Sequence, residues 1–292
     1  MFDRRAVALL VSLVLVWGAN WPILKLGLAH IQPLWFAELR LALGALSFAV
    51  VLTPLGRLRP PPRRDWPLVL TVGLLQMAAF LGLANIALQV VPAGRSAILA
   101  YTTPLWVAPG AALFLGERLT RGRLAGVGLG LAGVAVLFNP AGFDWNDGGA
   151  LLGNGMLMLA ALAWAAGILH VRGHCWTTSP LDLAFWQMLV GLVALLPLAW
   201  LWEGPPRADW SAEFLWVAAY NGPLATAFAF WAAVTVNRML PAVTVSLAYL
   251  CVPAGGVLAS ALMLGEPLTA TNLLGLTLIA AGVAAVALTE RS

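Results

Sequence analysis

The chain has 292 residues, of which 61% are hydrophobic and only 10% are charged, so a soluble globular protein is excluded. The mean hydropathy of +0.90 indicates instead that most of the chain lies in a lipid bilayer. The formal net charge of +4 comes from arginines in short loops beside apolar segments. That pattern indicates membrane topology and not nucleic-acid binding.

Ten apolar segments follow one another along the chain, most of them near the ~20 residues that a helix needs to cross the hydrocarbon core. They span residues 6–28, 34–52, 66–90, 93–115, 124–138, 149–171, 181–202, 214–236, 242–264 and 272–288. The sequence has no strands of alternating polarity, and a helix satisfies its own backbone groups in lipid. The pattern therefore predicts an all-α integral membrane protein with ten transmembrane helices.

The basic residues predict the orientation of these helices. If the loops alternate between the two sides of the membrane, most of the 16 basic residues fall on one side: Arg4, Arg5, Arg57, Arg59, Arg63, Arg64, Arg118, Arg121, Arg123, Arg172, Arg238 and Arg291. Only Lys25, Arg40, Arg95 and Arg207 belong to the other side or to nearby helix ends. The positive-inside rule then predicts that both termini are cytoplasmic.

The chain contains a sequence repeat. Residues 92–137 and 241–286 match without a gap at a constant offset of 149 (241 minus 92), and the run LGERLT from Leu115 recurs as LGEPLT from Leu264. Each copy holds two long apolar segments. Repeated membrane helices in corresponding positions of two halves are typical of secondary transporters.

The earlier segments repeat more weakly, at an offset of 147 that matches Trp17 with Trp164. The two matches together predict a first five-helix repeat at residues 1–140 and a second at 147–289. Because five is an odd number, the second repeat crosses the membrane inverted relative to the first. The arginines of the LGERLT region are absent from the LGEPLT region, as expected if the second turn faces outside.

These features resemble one transporter family. The chain is similar to an EamA-type transporter of the drug/metabolite transporter superfamily in the run WGANWPILK from Trp17, in Pro33 and Arg40, and in the turns that start at Leu115 and Leu264. The glycine-rich helices after each turn fit the same family. The resemblance covers essentially the whole chain.

The resemblance implies a ten-helix bundle in the bacterial inner membrane that exports small metabolites by alternating access. Members of the family differ widely in cargo. The many tryptophans of this chain favour amino acids with aromatic or other bulky apolar side chains as cargo. In this respect the chain resembles the aromatic amino-acid exporters of the family. Efflux of amphipathic drugs is an alternative within transport, and a non-transporting receptor or scaffold is an alternative outside it.

Prolines within the apolar segments predict breaks in the helices. Proline removes one backbone donor, so Pro104 frees the carbonyl of Ala100 and Pro253 frees that of Tyr249, at matched positions of the repeat. Such breaks line a cavity or only kink a helix for packing. The predicted hinges are Pro22, Pro104, Pro223 and Pro253.

Aromatic and amide side chains deep in the segments are the candidates for substrate binding, because an aromatic wall with a few polar groups suits an uncharged or zwitterionic cargo. Ordinary packing between helices is the competing interpretation of each residue taken singly. The predicted binding residues are Trp17, Asn20, Trp21, Gln76, Tyr101, Trp164, Trp231 and Tyr249.

Charged residues form one further candidate group. Lys25, Glu38 and Arg40 lie at comparable depths on either side of the first external turn, so they predict an ion cluster that gates the pathway or locks the first helical hairpin. No Asp or Glu lies near the middle of a segment. We therefore expect facilitative transport or exchange with little or no proton coupling.

An enzyme is not expected. The only lysine, Lys25, is in ILKLG and not in a phosphate-binding loop, and Cys175 and Cys251 form neither a disulfide pattern nor a metal-ligand cluster. The sequence thus predicts no cofactor and no metal. The expected partners are a small-molecule substrate and membrane lipid, with no nucleic acid, and a monomer is the expected state.

Overall fold

The computed structural model describes residues 4–118, 120–138, 146–264 and 269–289, and within these ranges the chain is all-helical, with no β-strand apart from a single bridge. The helices are α1 Arg4–Gly27, α2 Pro33–Leu52, α3 Trp66–Thr71, α4 Phe80–Val90, α5 Ala93–Ala100, α6 Pro104–Phe114, α7 Arg121–Phe138, α8 Gly148–Gly173, α9 Pro180–Glu203, α10 Ala212–Ala219, α11 Ala229–Met239, α12 Ala242–Ala248, α13 Cys251–Leu264 and α14 Ala270–Thr289.

Seven helical stretches in the described residues are long and apolar enough to span a membrane. They are Arg4–Gly27, Pro33–Leu52, Arg63–Val90, Ala93–Phe114, Gly148–Gly173, Pro180–Glu203 and Ala212–Met239. The number of ten helices and the side of the termini stay predictions. Leu119, Asp144, Arg291 and most of the LGEPLT turn lie outside the described residues.

Two π-helical segments interrupt the third and eighth predicted spans. They are Val72–Ala79, between α3 and α4, and Tyr220–Phe228, between α10 and α11. Their starts are 148 residues apart (220 minus 72), so they occupy corresponding positions of the repeat. Such wider turns in a helix are frequent at functional sites. Pro223 lies inside the second segment, and the helix continues through this proline with wider turns.

The predicted breaks at Pro104 and Pro253 are present. The helix α5 ends at Ala100 and α6 begins at Pro104, while α12 ends at Ala248 and α13 begins two residues before Pro253. A proline in the first turn of a helix loses no internal hydrogen bond. The Thr103 hydroxyl donates to the freed carbonyl of Ala100 at 3.4 Å.

The predicted hinge at Pro22 does not end a helix, because α1 continues through Pro22 over Arg4–Gly27. The carbonyl that this proline leaves without a donor belongs to Gly18. A Cβ atom at Gly256 of α13 would lie 3.6 Å from that carbonyl oxygen, so a neighbouring helix covers it. Prolines are tolerated inside membrane helices where neighbours pack in this way.

Glycines let several helices approach each other closely. A Cβ atom at Gly133 of α7 would lie only 2.7 Å from the carbonyl oxygen of Gly275 in α14, and one at Gly282 would lie 2.7 Å from that of Gly126. The two contacts are reciprocal, because Gly126 matches Gly275 and Gly133 matches Gly282 at the offset of 149. Small residues at such crossings favour packing in lipid.

The helices α2 and α9 meet in a similar reciprocal way. A Cβ atom at Gly44 would lie 2.6 Å from the sulfur of Met188, and one at Gly191 would lie 3.3 Å from Leu41. At the offset of 147, Gly44 matches Gly191 and Leu41 matches Met188. Two halves that are related by a two-fold axis make such reciprocal contacts, in which each residue touches the counterpart of the other's partner.

One end of the bundle, here called the His30 end, joins the α1–α2 turn to the loop between α9 and α10. Ile31 forms a single antiparallel bridge with Ala208. The carboxylate of Glu203 accepts hydrogen bonds from the backbone nitrogens of Leu34 at 2.9 Å and Trp35 at 3.2 Å. A carboxylate is favourable there, because the first turn of a helix has free N–H groups and a partial positive charge.

The opposite end, here called the Arg57 end, joins the loop after α2 to the loop between α8 and α9. The carboxylate of Asp65 accepts hydrogen bonds from the backbone nitrogens of Thr177 at 3.2 Å and Thr178 at 2.9 Å, just before α9 begins. Arg57 forms a salt bridge of 2.8 Å with Asp182, in the first turn of α9. Both ends are thus tied together by a carboxylate at a helix start.

Candidate transport cavity

A small cavity lies among the described helices, where α1, α2, α4, α5, α8 and α11 meet. Its walls are formed by Trp17, Asn20, Trp21, Leu24, Arg40, Phe80, Leu81, Ala84, Asn85, Ala100, Tyr101, Trp164 and Phe230. The volume open to the centre of a water molecule is about 20 Å³, which is room for about one water. The cavity is therefore nearly closed in this conformation.

Aromatic rings form one wall of the cavity. The ring centroids of Trp17 and Trp164 are 5.2 Å apart, and Phe230 lies 5.6 Å from Trp17 and 5.4 Å from Trp164. Phe80 packs on the other side of Trp164 at 4.9 Å. Aromatic contacts at these distances are favourable, so the cluster is an apolar surface that suits an apolar group of a ligand.

The wall is held in position by hydrogen bonds to the π-helical segment Tyr220–Phe228. The indole nitrogen of Trp17 donates to the carbonyl of Ala225 at 3.0 Å, and the hydroxyl of Tyr220 donates to the carbonyl of Val16 at 2.7 Å. Both bonds join α1 to the second half of the chain. The wider turn thus provides a carbonyl partner for a tryptophan that lines the cavity.

Five of the predicted binding residues meet at this cavity: Trp17, Asn20, Trp21, Tyr101 and Trp164. Tyr249 is buried and packs with its ring 5.8 Å from Trp17 and 6.4 Å from Tyr101, but it is not among the residues that line the cavity. It supports the aromatic wall from behind.

Two predicted binding residues lie away from the cavity walls. The buried amide of Gln76 donates to the carbonyl of Trp164 at 3.2 Å, and a Cβ atom at Gly167 would lie 2.6 Å from it, so Gln76 joins two helices. Trp231 is half-buried and packs against Phe228 at 5.9 Å. Neither side chain is among the cavity residues of the described chain.

The predicted ion cluster of Lys25, Glu38 and Arg40 is wrong, since no salt bridge in the described residues joins any two of them. Lys25 donates to the carbonyl of Leu88 at 2.5 Å, and Arg40 donates through Nε to the hydroxyl of Thr226 at 3.3 Å. Glu38 is buried, and its Oε1 atom has no hydrogen-bond partner in the described residues. Helix rotation separates side chains that are close in depth.

The predicted binding set lacks several cavity residues, namely Leu24, Phe80, Leu81, Ala84, Asn85, Ala100 and Phe230, and the sequence predicts a different role for Arg40. The signal for Asn85 is an amide within an apolar segment. Arg40 carries a similar signal, because an arginine seven residues after Pro33 lies well inside a span. The phenylalanines carry no such signal in so apolar a sequence.

The polar side chains of the cavity are deeply buried. The exposed fraction is 2% for Arg40, 4% for Asn20 and 0% for Asn85. The Oδ1 atoms of both asparagines and the indole nitrogen of Trp164 have no hydrogen-bond partner among the described residues. Buried polar groups normally have partners, so this cavity has acceptors and donors ready for a bound molecule.

A larger apolar groove, of about 740 Å³, lies along α4 and α9 and is lined by residues that include Leu74, Leu198, Leu201 and Trp202. Leu201 and Trp202 are strongly exposed. In a membrane such a surface faces acyl chains, which fill it without any specific recognition. The smaller central cavity is therefore the better candidate site, because it combines burial with convergent polar groups.

Comparison with known proteins identifies the family of the chain. The EamA-like transporter family matches residues 4–139 and, a second time, residues 151–288. The transporter YvbV of Bacillus subtilis is 31% identical over 283 residues, which cover 97% of this chain and 91% of YvbV. The probable terminal-alkyne amino-acid exporter of Streptantibioticus cattleyicolor is 30% identical over 291 residues, covering 96% of this chain and 92% of the exporter.

A solved crystal structure has the same fold, with a TM-score of 0.75 over 99% of this chain and 98% of that chain at 22% sequence identity. The two family matches together cover almost the entire sequence. The protein is thus a multi-pass membrane protein, and the chain belongs to the EamA-like transporter family.

Proposed function

We propose that this protein is an inner-membrane exporter of small metabolites, with amino acids that carry aromatic or other bulky apolar side chains as its main cargo. The observation that carries the proposal is the central cavity, where an aromatic wall and three buried polar side chains converge. The name of one relative, a probable terminal-alkyne amino-acid exporter, supports amino acids as the class of cargo.

The proposed mechanism is alternating access between two inverted five-helix halves, at residues 1–140 and 147–289. The reciprocal contacts of Gly133 with Gly275 and of Gly282 with Gly126 support this arrangement, because equivalent residues exchange places across a two-fold axis. The α1–α2 turn lies at the His30 end, while its counterpart between α8 and α9 lies at the Arg57 end. That placement supports the inversion.

The size of the cavity supports an occluded step in this cycle. A volume of about 20 Å³ holds about one water, whereas an amino acid is many times larger. The cavity must therefore expand when cargo enters. The hydrogen bonds of Glu203 at one end and of Asp65 at the other are the contacts that would open in turn.

The orientation proposed from the sequence puts the Arg57 end in the cytoplasm. Four arginines at that end, namely Arg57, Arg64, Arg172 and Arg238, donate hydrogen bonds to loop residues or to residues at helix ends. An excess of arginine is typical of the cytoplasmic side of a membrane protein. The His30 end then faces outward, and net movement from the Arg57 end to the His30 end is export.

Transport without proton coupling is part of the proposal. No Asp or Glu is among the residues that line the cavity in the described chain. A carrier that moves protons needs a titratable group within reach of both sides. We therefore propose movement of cargo down its own gradient, or exchange of one cargo molecule for another.

Flux measurements in proteoliposomes test the proposed function. Labelled phenylalanine, threonine and a cationic dye are followed with and without a pH gradient, and protein-free liposomes serve as the control. We expect saturable phenylalanine flux that continues when the gradient is removed. Strict dependence on the gradient would contradict the facilitative mechanism, and flux of the dye alone would change the cargo to amphipathic drugs.

A further inference from the structure

We propose that Arg40 binds the carboxylate of the cargo, and that the side-chain oxygens of Asn20 and Asn85 accept hydrogen bonds from its ammonium group. This inference rests on the proposed function and names the substrate class more closely, as zwitterionic α-amino acids. All three side chains line the same cavity. The apolar side chain of the cargo would then pack against Trp17 and Trp164.

Arg40 has few partners in its surroundings. A guanidinium has five N–H donors. In the described residues Arg40 makes one hydrogen bond, from Nε to the Thr226 hydroxyl at 3.3 Å. No salt bridge of the described residues includes Arg40. The two terminal nitrogens therefore keep their donors for a ligand in the cavity that Arg40 lines.

The buried charge of Arg40 carries a free-energy cost when it is unpaired. Arg40 is only 2% exposed and lies within α2, a membrane span, where an unpaired charge is strongly unfavourable. Glu38 is two residues away on the same helix, but neighbours at that spacing point in different directions, and no salt bridge joins the two. An anion that arrives with the cargo would offset this cost. A planar carboxylate matches the guanidinium fork best.

Two unpaired acceptors line the same cavity as Arg40. The Oδ1 atoms of Asn20 and Asn85 have no partner in the described residues, while the Nδ2 atom of Asn85 donates to the carbonyl of Pro33 at 3.0 Å. The bond to Pro33 fixes which way the Asn85 amide points. An ammonium group has only donors, so two amide oxygens are suitable partners. Faces of tryptophan also attract cations.

Matched ligands that lack one charge at a time test the proposal. Phenylalanine has both charged groups, phenylalanine methyl ester lacks the carboxylate, and 3-phenylpropionate lacks the ammonium. We expect the wild-type protein to bind phenylalanine more tightly than either analogue. In Arg40→Gln, we expect affinity for phenylalanine to fall about 30-fold or more, with affinity for the methyl ester unchanged.

Two further variants keep the test independent of folding. Arg40→Lys keeps the charge but loses the fork, so it should keep a weaker preference for phenylalanine over the ester. Asn20→Leu should reduce the preference for phenylalanine over 3-phenylpropionate and leave the carboxylate preference intact. Arg207→Gln is the matched control, since Arg207 is exposed in the loop between α9 and α10 and should change nothing.

The outcomes separate this inference from the proposed function. If Arg40→Gln weakens phenylalanine and its methyl ester equally, Arg40 is a structural residue and the inference is wrong. If the wild-type protein moves no amino acid but selects 3-phenylpropionate over its methyl ester through Arg40, the proposed cargo fails and the carboxylate site stands. Equal transport of phenylalanine and its methyl ester by the wild-type protein would reject the inference alone, and transport of none of these compounds would reject both.

Discussion

The indole rings of Trp17 and Trp164 meet edge to face, with ring centroids 5.2 Å apart and an angle of 81° between their planes. The two residues are also partners in the sequence, matched at the offset of 147. Equivalent residues of two halves can touch only close to the axis that relates them. The proposed axis therefore passes through the aromatic wall of the cavity, so both halves contribute to one site.

Removal of the Trp164 indole should impair transport. Trp164→Ala takes away a large apolar surface that contacts Trp17, Phe80 and Phe230, and buried tryptophans commonly supply about 2 kcal/mol or more of binding. We expect the affinity for phenylalanine, measured by saturable flux in proteoliposomes, to fall about 30-fold. Trp231→Ala is the control, because Trp231 lies away from the cavity, and equal losses in both variants would argue against this site.

Packing of α7 against α14 should depend on Gly133. In Gly133→Leu the new side chain collides with the backbone of Gly275 and Ile279, so we expect a loss of about 1–3 kcal/mol of stability and a lower melting temperature in detergent. Gly128→Leu lies on the same helix with nothing within 4 Å of its Cβ position. A similar melting temperature for the two variants would mean that α7 and α14 do not pack as described.

The ties at the two ends of the bundle should control access to the cavity from opposite sides. Glu203→Ala removes the acceptor for the backbone nitrogens of Leu34 and Trp35, and so weakens the His30 end. We expect an Ala84→Cys thiol in the cavity wall, in a chain free of other cysteines, to react about fivefold faster with an impermeant maleimide added at that side.

Asp65→Ala is the matched variant for this experiment, because Asp65 ties the Arg57 end through Thr177 and Thr178. It should leave the same labelling rate unchanged or lower it. Faster labelling from the His30 side in both variants would indicate a general loosening of the bundle, and the ends would then not act as separate closures.

The absence of an ion pair between Lys25 and Glu38 in the described residues has a measurable consequence. In a double-mutant cycle of Lys25→Met and Glu38→Gln, the coupling free energy should be below about 0.5 kcal/mol. Arg40→Gln with Thr226→Val is the positive comparison, because those side chains share a hydrogen bond and should couple more strongly. Coupling above about 1 kcal/mol between Lys25 and Glu38 would restore the predicted cluster.

The fold class, the repeat and the family can be predicted from the order of residues along the chain. Hydropathy predicts membrane helices because lipid offers no hydrogen bonds to the backbone. The match of Leu115 with Leu264 needs only an alignment of the two halves of the sequence. The breaks before Pro104 and Pro253 are local chemistry of one residue type. These expectations therefore depend little on how the helices pack.

Which residues line the cavity depends on the rotation of each helix about its axis. Hydropathy does not indicate this rotation in so apolar a chain, because the lipid-facing and protein-facing sides of a helix are similar in polarity. Rotation placed Phe80 and Phe230 in the wall and left Trp231 outside it. It also separated Arg40 from Lys25, which are close only in depth. The arginine thereby lines a small buried cavity without forming a salt bridge in the described residues, a relationship that exists only once six helices have packed together.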